Sequence, residues 1–273
     1  MLIPIIIAIF TILIYSNFLY EDNTDDSNLI VLSSDKIQMR EFVLEELKEY
    51  KMVKRIKPNN ENQGLVIKRQ DFQQLSNYQK YVTPNNQDVQ DYINQNNIAT
   101  IQDAYNSAVD WVYVSDSYLH EVSEKWLYPY QFISETPSYV NNPVPGTMVS
   151  DCESHAYTLV SLIEAIGISK QNVRVVIGYV NFSGETSGHA WVQVYLDNEW
   201  VELEATSGPY WDESEEKLVS LNGIPFNYFK NHPYPVEEYW AFFNDIYYYN
   251  PDGASSINLP VHWRTTGKLL SWR

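Results

Sequence analysis

Three side chains that lie far apart in the sequence have the types that a thiol acyl-transfer site requires: Cys152, His189 and Glu204. A thiol attacks as its thiolate, and the unpaired N–H groups and dipole of a helix N-terminus favour an anion. Cys152 falls in the first turn of a predicted helix. An imidazole can take the thiol proton, and a carboxylate on its other nitrogen orients the ring. The residues therefore predict a nucleophile, a base and an orienting group.

Cys152 is the only cysteine in the chain. An intramolecular disulfide and a zinc site of several thiolates are therefore excluded. The alternative to a catalytic role is that Cys152 is an inert thiol in the core, since free cysteine is commonly buried. His155 lies three residues further on and could join Cys152 and His189 as metal ligands. Because no further ligand is evident, we expect a packing role for His155, no metal site and no cofactor.

The elements that must position these residues are a helix and three strands. The helix has a buried face at every third or fourth position and a glycine at its end: Ala156, Leu159, Val160, Ile163, Ile166 and Gly167. Three strand-like runs follow, Val173–Phe182, His189–Leu196 and Glu199–Thr206, with a loop over 183–188 between the first two. A helix followed by an antiparallel meander is an α+β arrangement.

The turn between the second and third strands sets the register of the two candidate site residues they carry. Asp197-Asn198 predicts a two-residue hairpin, which places Leu196 opposite Glu199. In that register Glu204 lies diagonally next to His189 on the same face of the sheet. The carboxylate is therefore expected within reach of the imidazole.

Four motifs in this order carry a resemblance to a known family: Asp151-Cys152-Glu153, 174–178, 188–192 and 200–206. Together they resemble the transglutaminase-like superfamily over roughly residues 84–206. The resemblance implies a papain-like α+β core, with the cysteine-bearing helix packed on an antiparallel sheet. It also implies a Cys-His-Asp triad, carried onto Cys152, His189 and Glu204. Where the family usually has Asp-Pro, this chain has Glu204-Ala205, and Glu202 on the same face is the alternative orienting carboxylate.

The implied activity is acyl transfer or hydrolysis at amide bonds, by a cysteine peptidase, an amidase or a transglutaminase. The expected substrate is a peptide or protein, with cell-wall material as one class. In such folds an upstream side chain often completes the oxyanion hole, and Trp126 and Gln131 are the candidates. The alternative is a non-catalytic, membrane-anchored module on the same fold that binds protein or glycan through its aromatic C-terminal part.

The first twenty residues bear on location. Residues 2–19 are almost entirely apolar, and ~1.5 Å of rise per residue makes them just long enough to cross a ~30 Å hydrocarbon core. No basic residue precedes the run and no small-x-small cut site ends it, so we predict an uncleaved anchor over 1–20. The acidic flank of Glu21, Asp22, Asp25 and Asp26 predicts that the body is extracytoplasmic. A cleaved signal and a secreted protein are the alternative. The net charge of −17 argues against a nucleic-acid partner.

The remaining chain is divided by composition and periodicity. A tether and a helical extension are predicted over 21–83, with a helix at 35–54, followed by the core at 84–206. Residues 207–273 are rich in Tyr, Trp and Pro and are expected to pack on the core. Within the core, Thr100 and Asp103 predict a capped helix with one apolar stripe: Ile101, Ala104, Ala108, Trp111 and Val112. A further helix is predicted over 116–126.

Overall fold

The computed structural model describes residues 77–182, 184–226 and 233–265. The predicted anchor over 1–20, the tether and the helix at 35–54 lie outside these ranges. None of the helices within the described ranges has the length and apolar character that crossing a bilayer requires. The extracytoplasmic location that rests on the first twenty residues and their acidic flank stays a prediction.

In the part of the chain that the structure describes, four α-helices form around the region that carries the motifs. They are α1 Gln87–Asn96, α2 Ile101–Ala108, α3 Asp116–His120 and α4 Cys152–Ala165. Shorter helical turns are Asn77–Tyr81, Gln131–Glu135, Thr136–Ser138, Lys170–Asn172 and Val261–Arg264. The predicted capping box is confirmed: Thr100 accepts from the Asp103 N–H, and the Asp103 carboxylate accepts from the Thr100 N–H.

Two helix boundaries differ from their predictions. The prediction that the apolar stripe of α2 continues through Trp111 and Val112 is wrong. The helix ends at Ala108, and Val112 begins a strand. The helix predicted over 116–126 ends at His120, because Glu121 takes a left-handed conformation with φ of 59°. The early end of α3 leaves 121–126 as a loop that returns toward the helix.

Within the described residues, nine strands form two sheets. In chain order they are β1 Val112–Tyr113, β2 Val149–Ser150, β3 Val173–Phe182, β4 Glu185–Leu196, β5 Glu199–Leu203, β6 Tyr210–Asp212, β7 Lys217–Val219, β8 Val236–Phe243 and β9 Tyr248–Tyr249. The larger sheet has the antiparallel order β5-β4-β3-β8-β9. The smaller sheet has the order β2-β1-β6-β7, with β1 parallel to both of its neighbours. The predicted helix followed by an antiparallel meander is therefore confirmed.

The two hairpin turns of the meander place β4 and β5. Asp197 and Asn198 have φ of 51° and 65°, and Leu196 pairs with Glu199 as predicted. The prediction of a loop over 183–188 is wrong, because Phe182 pairs with Glu185 and β4 starts at Glu185. β5 stops at Leu203 instead of continuing to Thr206.

Helix α4 lies at the centre of the main core. One side packs against β3 and β4, and other sides pack against α1 and α2. Every residue from Cys152 to Glu164 is therefore buried, beyond the single apolar face that the periodicity predicts. Gly167, with φ of 92°, follows the helix end as expected. A helix enclosed in this way has little freedom to shift along the sheet, which fixes the position of its first residue.

The opposite face of the larger sheet is closed by the C-terminal part of the chain. The Arg174 guanidinium is fully buried, 3.7 Å from the Trp200 ring centroid and 4.1 Å from that of Phe242. It donates to the carbonyl oxygens of Trp263 and Thr265, each at 2.7 Å. Arg174 thus ties residues 263–265 to the strand that pairs with β4.

Gly178 pairs with His189, and a side chain there would collide with β8. A Cβ built on Gly178 would lie 2.2 Å from the carbonyl oxygen of Glu238, whereas one on Gly253 would meet nothing closer than 4.0 Å. We expect Gly178→Ala to lower the free energy of unfolding by about 1–3 kcal/mol. Denaturant unfolding measures this, and Gly253→Ala is the matched control. Equal stabilities for the two variants would contradict the close approach of β3 and β8.

Candidate active site

Cys152 begins α4 directly after strand β2, and Asp151 is the N-cap residue between them. The sulfur donates to Glu153 Oε2 at 3.1 Å, and the backbone N–H of Ala190 points at the sulfur from β4. Ala190 follows His189 in the sequence, so the sulfur lies against the strand one residue from the imidazole. The side chain is 8% exposed, which leaves it buried but not sealed.

His189 and Glu204 are joined by a hydrogen bond. His189 Nε2 and Glu204 Oε2 are 2.7 Å apart, and both side chains are buried. The other carboxylate oxygen, Oε1, accepts from the Thr206 N–H at 3.1 Å and from the Thr206 hydroxyl at 2.6 Å. Thr206 therefore faces Glu204 instead of extending β5, which explains why the strand stops at Leu203. The structure thus brings together the two residues that the predicted register places side by side.

Aromatic rings enclose the imidazole. The Trp191 ring stacks on His189 with centroids 5.9 Å apart and planes at 15°. The edges of Phe182 and Tyr234 approach at 5.5 Å and 6.3 Å. These contacts, with the hydrogen bond to Glu204, fix the plane of the ring.

The alternative orienting carboxylate, Glu202, has other partners. Its Oε2 accepts from Trp191 Nε1 at 2.6 Å, and its Oε1 accepts from Gln193 Nε2 at 2.7 Å. Gln193 in turn accepts from Arg174 Nε at 2.7 Å. Glu202 thus belongs to the network that reaches the buried guanidinium.

The electrostatics of the thiol differ from the sequence expectation. Burial raises the pKa of Cys152 well above its ordinary value, and the carboxylates of Glu153 and Asp151 raise it further. The helix end favours an anion by only about 0.3–1 kcal/mol at an exposed site. Burying the charge of a thiolate costs more than this stabilisation, so the helix N-terminus does not lower the pKa of Cys152 below its ordinary value. In this structure the resting thiol carries its proton.

A group of carboxylates that the sequence did not predict lies beside the thiol. Asp116, Glu124 and Asp151 each have an oxygen within 4.8 Å of the others. Burial, with the Glu153 charge second, raises the pKa of Asp116 to about 7 and that of Glu124 to about 10. Burial also raises the pKa of Asp151, with Asp116 as the next cause. These three residues, hereafter the carboxylate cluster, are a candidate set of metal ligands where we had expected none.

The sequence analysis also named His155, Trp126 and Gln131 as residues of interest. His155 is fully buried, with ring centroids 5.5 Å from Trp111 and 5.1 Å from Phe132, and burial lowers its pKa to about 4. The packing role expected for it fits this surrounding. The Trp126 indole donates to Glu124 in the carboxylate cluster. Gln131 Oε1 accepts from the Tyr128 N–H at 3.1 Å.

Comparisons with known proteins point to one family. The profile of the Transglutaminase-like superfamily matches residues 114–205. No curated protein matches the chain.

Solved structures give weak overlaps. EGTA-treated LapG from Legionella pneumophila is 13% identical with a TM-score of 0.39, over 68% of this chain and 91% of that one. Calcium-bound LapG is 14% identical with a TM-score of 0.36, over 60% and 74%. A candidate cysteine protease from Cytophaga hutchinsonii is 18% identical with a TM-score of 0.26, over 66% and 45%. Overlaps of this size say nothing about substrate or mechanism.

The matched segment contains α3, α4 and the three strands of the meander, and it ends one residue after Glu204. Cys152 and His189 lie within it. Residues 114–205 match the transglutaminase-like superfamily, which confirms the resemblance that the four sequence motifs carry.

Proposed function

We propose that the chain is a thiol enzyme that transfers or hydrolyses acyl groups at amide bonds of a peptide or protein. Cys152 is the nucleophile, His189 the base and Glu204 the residue that orients His189. The observation that carries this proposal is the 2.7 Å hydrogen bond between His189 and Glu204, on the strand against which the Cys152 sulfur lies. A buried imidazole held by a carboxylate beside a thiol is the arrangement that acyl transfer requires.

The raised pKa of Cys152 determines the order of proton transfer. Because the resting thiol is protonated, His189 takes the proton as the sulfur attacks the amide carbonyl. Glu204 is bonded to Nε2, so Nδ1 is the nitrogen that accepts the proton, and the carboxylate stabilises the imidazolium. Collapse of the tetrahedral intermediate returns the proton to the leaving amine and leaves a thioester on Cys152. Water or a second amine then releases the acyl group, with His189 as base again.

The oxyanion of the tetrahedral intermediate needs hydrogen-bond donors. Asp151, although it is the N-cap residue, makes no side-chain capping bond. The first N–H groups of α4 are therefore not consumed by their own cap. They are the donors we propose for the oxyanion.

The non-catalytic alternative relied on an aromatic surface in residues 207–273. Three of those aromatic residues, Trp240, Tyr248 and Trp263, are buried in the structure. Trp263 packs over the Arg174 guanidinium and Tyr248 belongs to the main core. Their packing removes much of the support for a binding module of that kind.

A thiol-directed reagent tests the base without a known substrate. We expect iodoacetamide to modify Cys152 of the folded protein at least about tenfold faster than in His189→Gln, because general-base assistance is lost. Rates are read by intact-protein mass, with folding checked by circular dichroism. In guanidinium the two proteins must react equally, which shows that any difference needs the fold. Equal rates in the folded proteins would refute the role of His189.

Two neighbouring glutamates separate the orienting role from general stability. Glu204→Gln replaces the acceptor on His189 Nε2 by an amide, so we expect iodoacetamide labelling to slow at least about tenfold. Glu202→Gln removes the carboxylate of a residue on β5, two positions before Glu204. The partners of that carboxylate are Trp191 and Gln193. That control is expected to lower the melting temperature while Cys152 labelling stays within about twofold. Slowing in Glu202→Gln but not in Glu204→Gln would reverse the assignment.

The acyl acceptor is a separate question. Incubating casein and a glutamine-containing peptide, with and without methylamine, distinguishes peptidase, amidase and transglutaminase by the masses of the products. We expect any of these products to vanish in Cys152→Ala, because each begins with the thioester. Product formation that survives this substitution would exclude Cys152 as the nucleophile.

A further inference from the structure

Ser207 fastens the turn that follows Glu204. Its hydroxyl donates to the Glu204 carbonyl oxygen at 2.9 Å and accepts from the Ile224 N–H at 3.0 Å. The Ser207 N–H donates to the same carbonyl oxygen at 3.4 Å. A serine hydroxyl can donate once and also accept, so this side chain uses both capacities to join segments 17 residues apart. Ser207 therefore fixes the direction in which the chain leaves β5 at Glu204.

Tyr105 holds the partner segment from α2. It is fully buried, and its hydroxyl donates to the Ile224 carbonyl oxygen at 2.9 Å. The same hydroxyl reaches the Glu204 carbonyl oxygen at 3.3 Å, and the shorter of the two contacts is the stronger. The Tyr105 ring packs against Phe226, with centroids 5.9 Å apart. Ile224 is thus held through both its N–H and its carbonyl, which makes its backbone a fixed support for Ser207.

Two glycines pack this junction directly against the end of α2. Val109 is the C-cap residue of α2. A side chain on Gly208 would collide with the Val109 carbonyl, and one on Gly223 would collide with the Val109 side chain. Gly208 follows Ser207 and Gly223 precedes Ile224, so the chain beside each partner of the hydrogen bond lies on the helix. The turn after Glu204 therefore cannot shift without a shift of α2 or of the segment 222–226.

We propose that Ser207 is a positioning residue for Glu204 and, through Glu204, for His189. This inference rests on the roles proposed above for those two residues. The turn that Ser207 fastens also carries Thr206, whose two hydrogen bonds hold Glu204 Oε1. Release of the Glu204 carbonyl loosens the turn and, with it, the hold of Thr206 on the carboxylate. Glu204 Oε2 is then no longer kept at 2.7 Å from His189 Nε2.

NMR of the full chain with isotope-labelled histidine observes the bond between His189 and Glu204 directly. His189→Gln identifies the ring proton that Glu204 protects from exchange with solvent. We expect Ser207→Ala to speed the exchange of that proton at least about fivefold, because local opening becomes easier. Ser207→Thr keeps the hydroxyl and should restore the protection to within about twofold.

Ser161→Ala is the matched control for the loss of a serine hydroxyl. Ser161 Oγ accepts from the Thr83 N–H at 2.9 Å and donates to the Tyr157 carbonyl oxygen at 2.8 Å. The control thus removes the same pair of hydrogen bonds at a place away from the triad. We expect a comparable fall in melting temperature, with exchange of the His189 proton unchanged within about twofold.

Iodoacetamide labelling of Cys152 shows whether Ser207 acts through Glu204. Ser207→Ala is expected to slow labelling at least about threefold in the natural sequence. In a chain that already carries Glu204→Gln, the same substitution should add less than about 1.5-fold, because effects that pass through one group are not additive.

The outcomes separate this inference from the function on which it rests. Unchanged exchange of the His189 proton in Ser207→Ala would overturn the positioning role, and so would equal acceleration in Ser161→Ala. Additive slowing of labelling in the Glu204→Gln background would overturn it as well. Labelling that responds to neither His189→Gln nor Glu204→Gln would refute the thiol function. Faster exchange in Ser207→Ala alone would still support the positioning of Glu204 in that case.

Discussion

The contact between the N-terminus of α4 and the middle of β4 is the constraint on which the site depends. It sets the sulfur of Cys152 against the Ala190 N–H, one residue from the imidazole. The helix cannot slide to relieve a poor fit, because α1, α2 and the sheet enclose it. The buried surface that stabilises the fold therefore also fixes the position of the Cys152 sulfur relative to the His189 imidazole. A change in the packing of α4 would therefore move the sulfur relative to the imidazole even where Cys152, His189 and Glu204 are unchanged.

Two requirements of the thiol oppose each other at this contact. Burial positions the sulfur and excludes water, but it also favours the neutral thiol, and the Glu153 and Asp151 carboxylates act in the same direction. A preformed thiolate–imidazolium pair is disfavoured under these conditions. In the mechanism we propose, proton transfer during attack avoids this cost, because the negative charge then appears on the substrate oxygen near the helix N-terminus. The raised pKa of Cys152 therefore fits the base-assisted mechanism we propose, in which Glu204 has a positive charge to stabilise only when His189 becomes protonated.

Features set by neighbouring residues could be predicted from the sequence, and features set by distant pairing could not. The capping box at Thr100, the turn at Asp197 and the register that puts Glu204 beside His189 all follow from a few adjacent residues. The carboxylate cluster depends on β1 pairing with β2, which brings the segment before α3 to the segment before α4. No periodicity in the sequence records that parallel pairing. The early end of α3 is a local feature that could not be predicted either, since the left-handed conformation of Glu121 is not evident from its residue type.

The departure from the family's Asp-Pro shows how the longer side chain is accommodated. An extra methylene lets the carboxylate of Glu204 swing unless something holds it. Thr206 does so with two hydrogen bonds to Oε1, one of them from its backbone N–H. Those bonds require the chain to turn at 204–206 rather than continue β5, and the Tyr105 hydroxyl donates to the Glu204 carbonyl from the helical side at 3.3 Å. The end of the strand and the orientation of the carboxylate are therefore one structural feature, and the glutamate can hold His189 because the strand stops where it does.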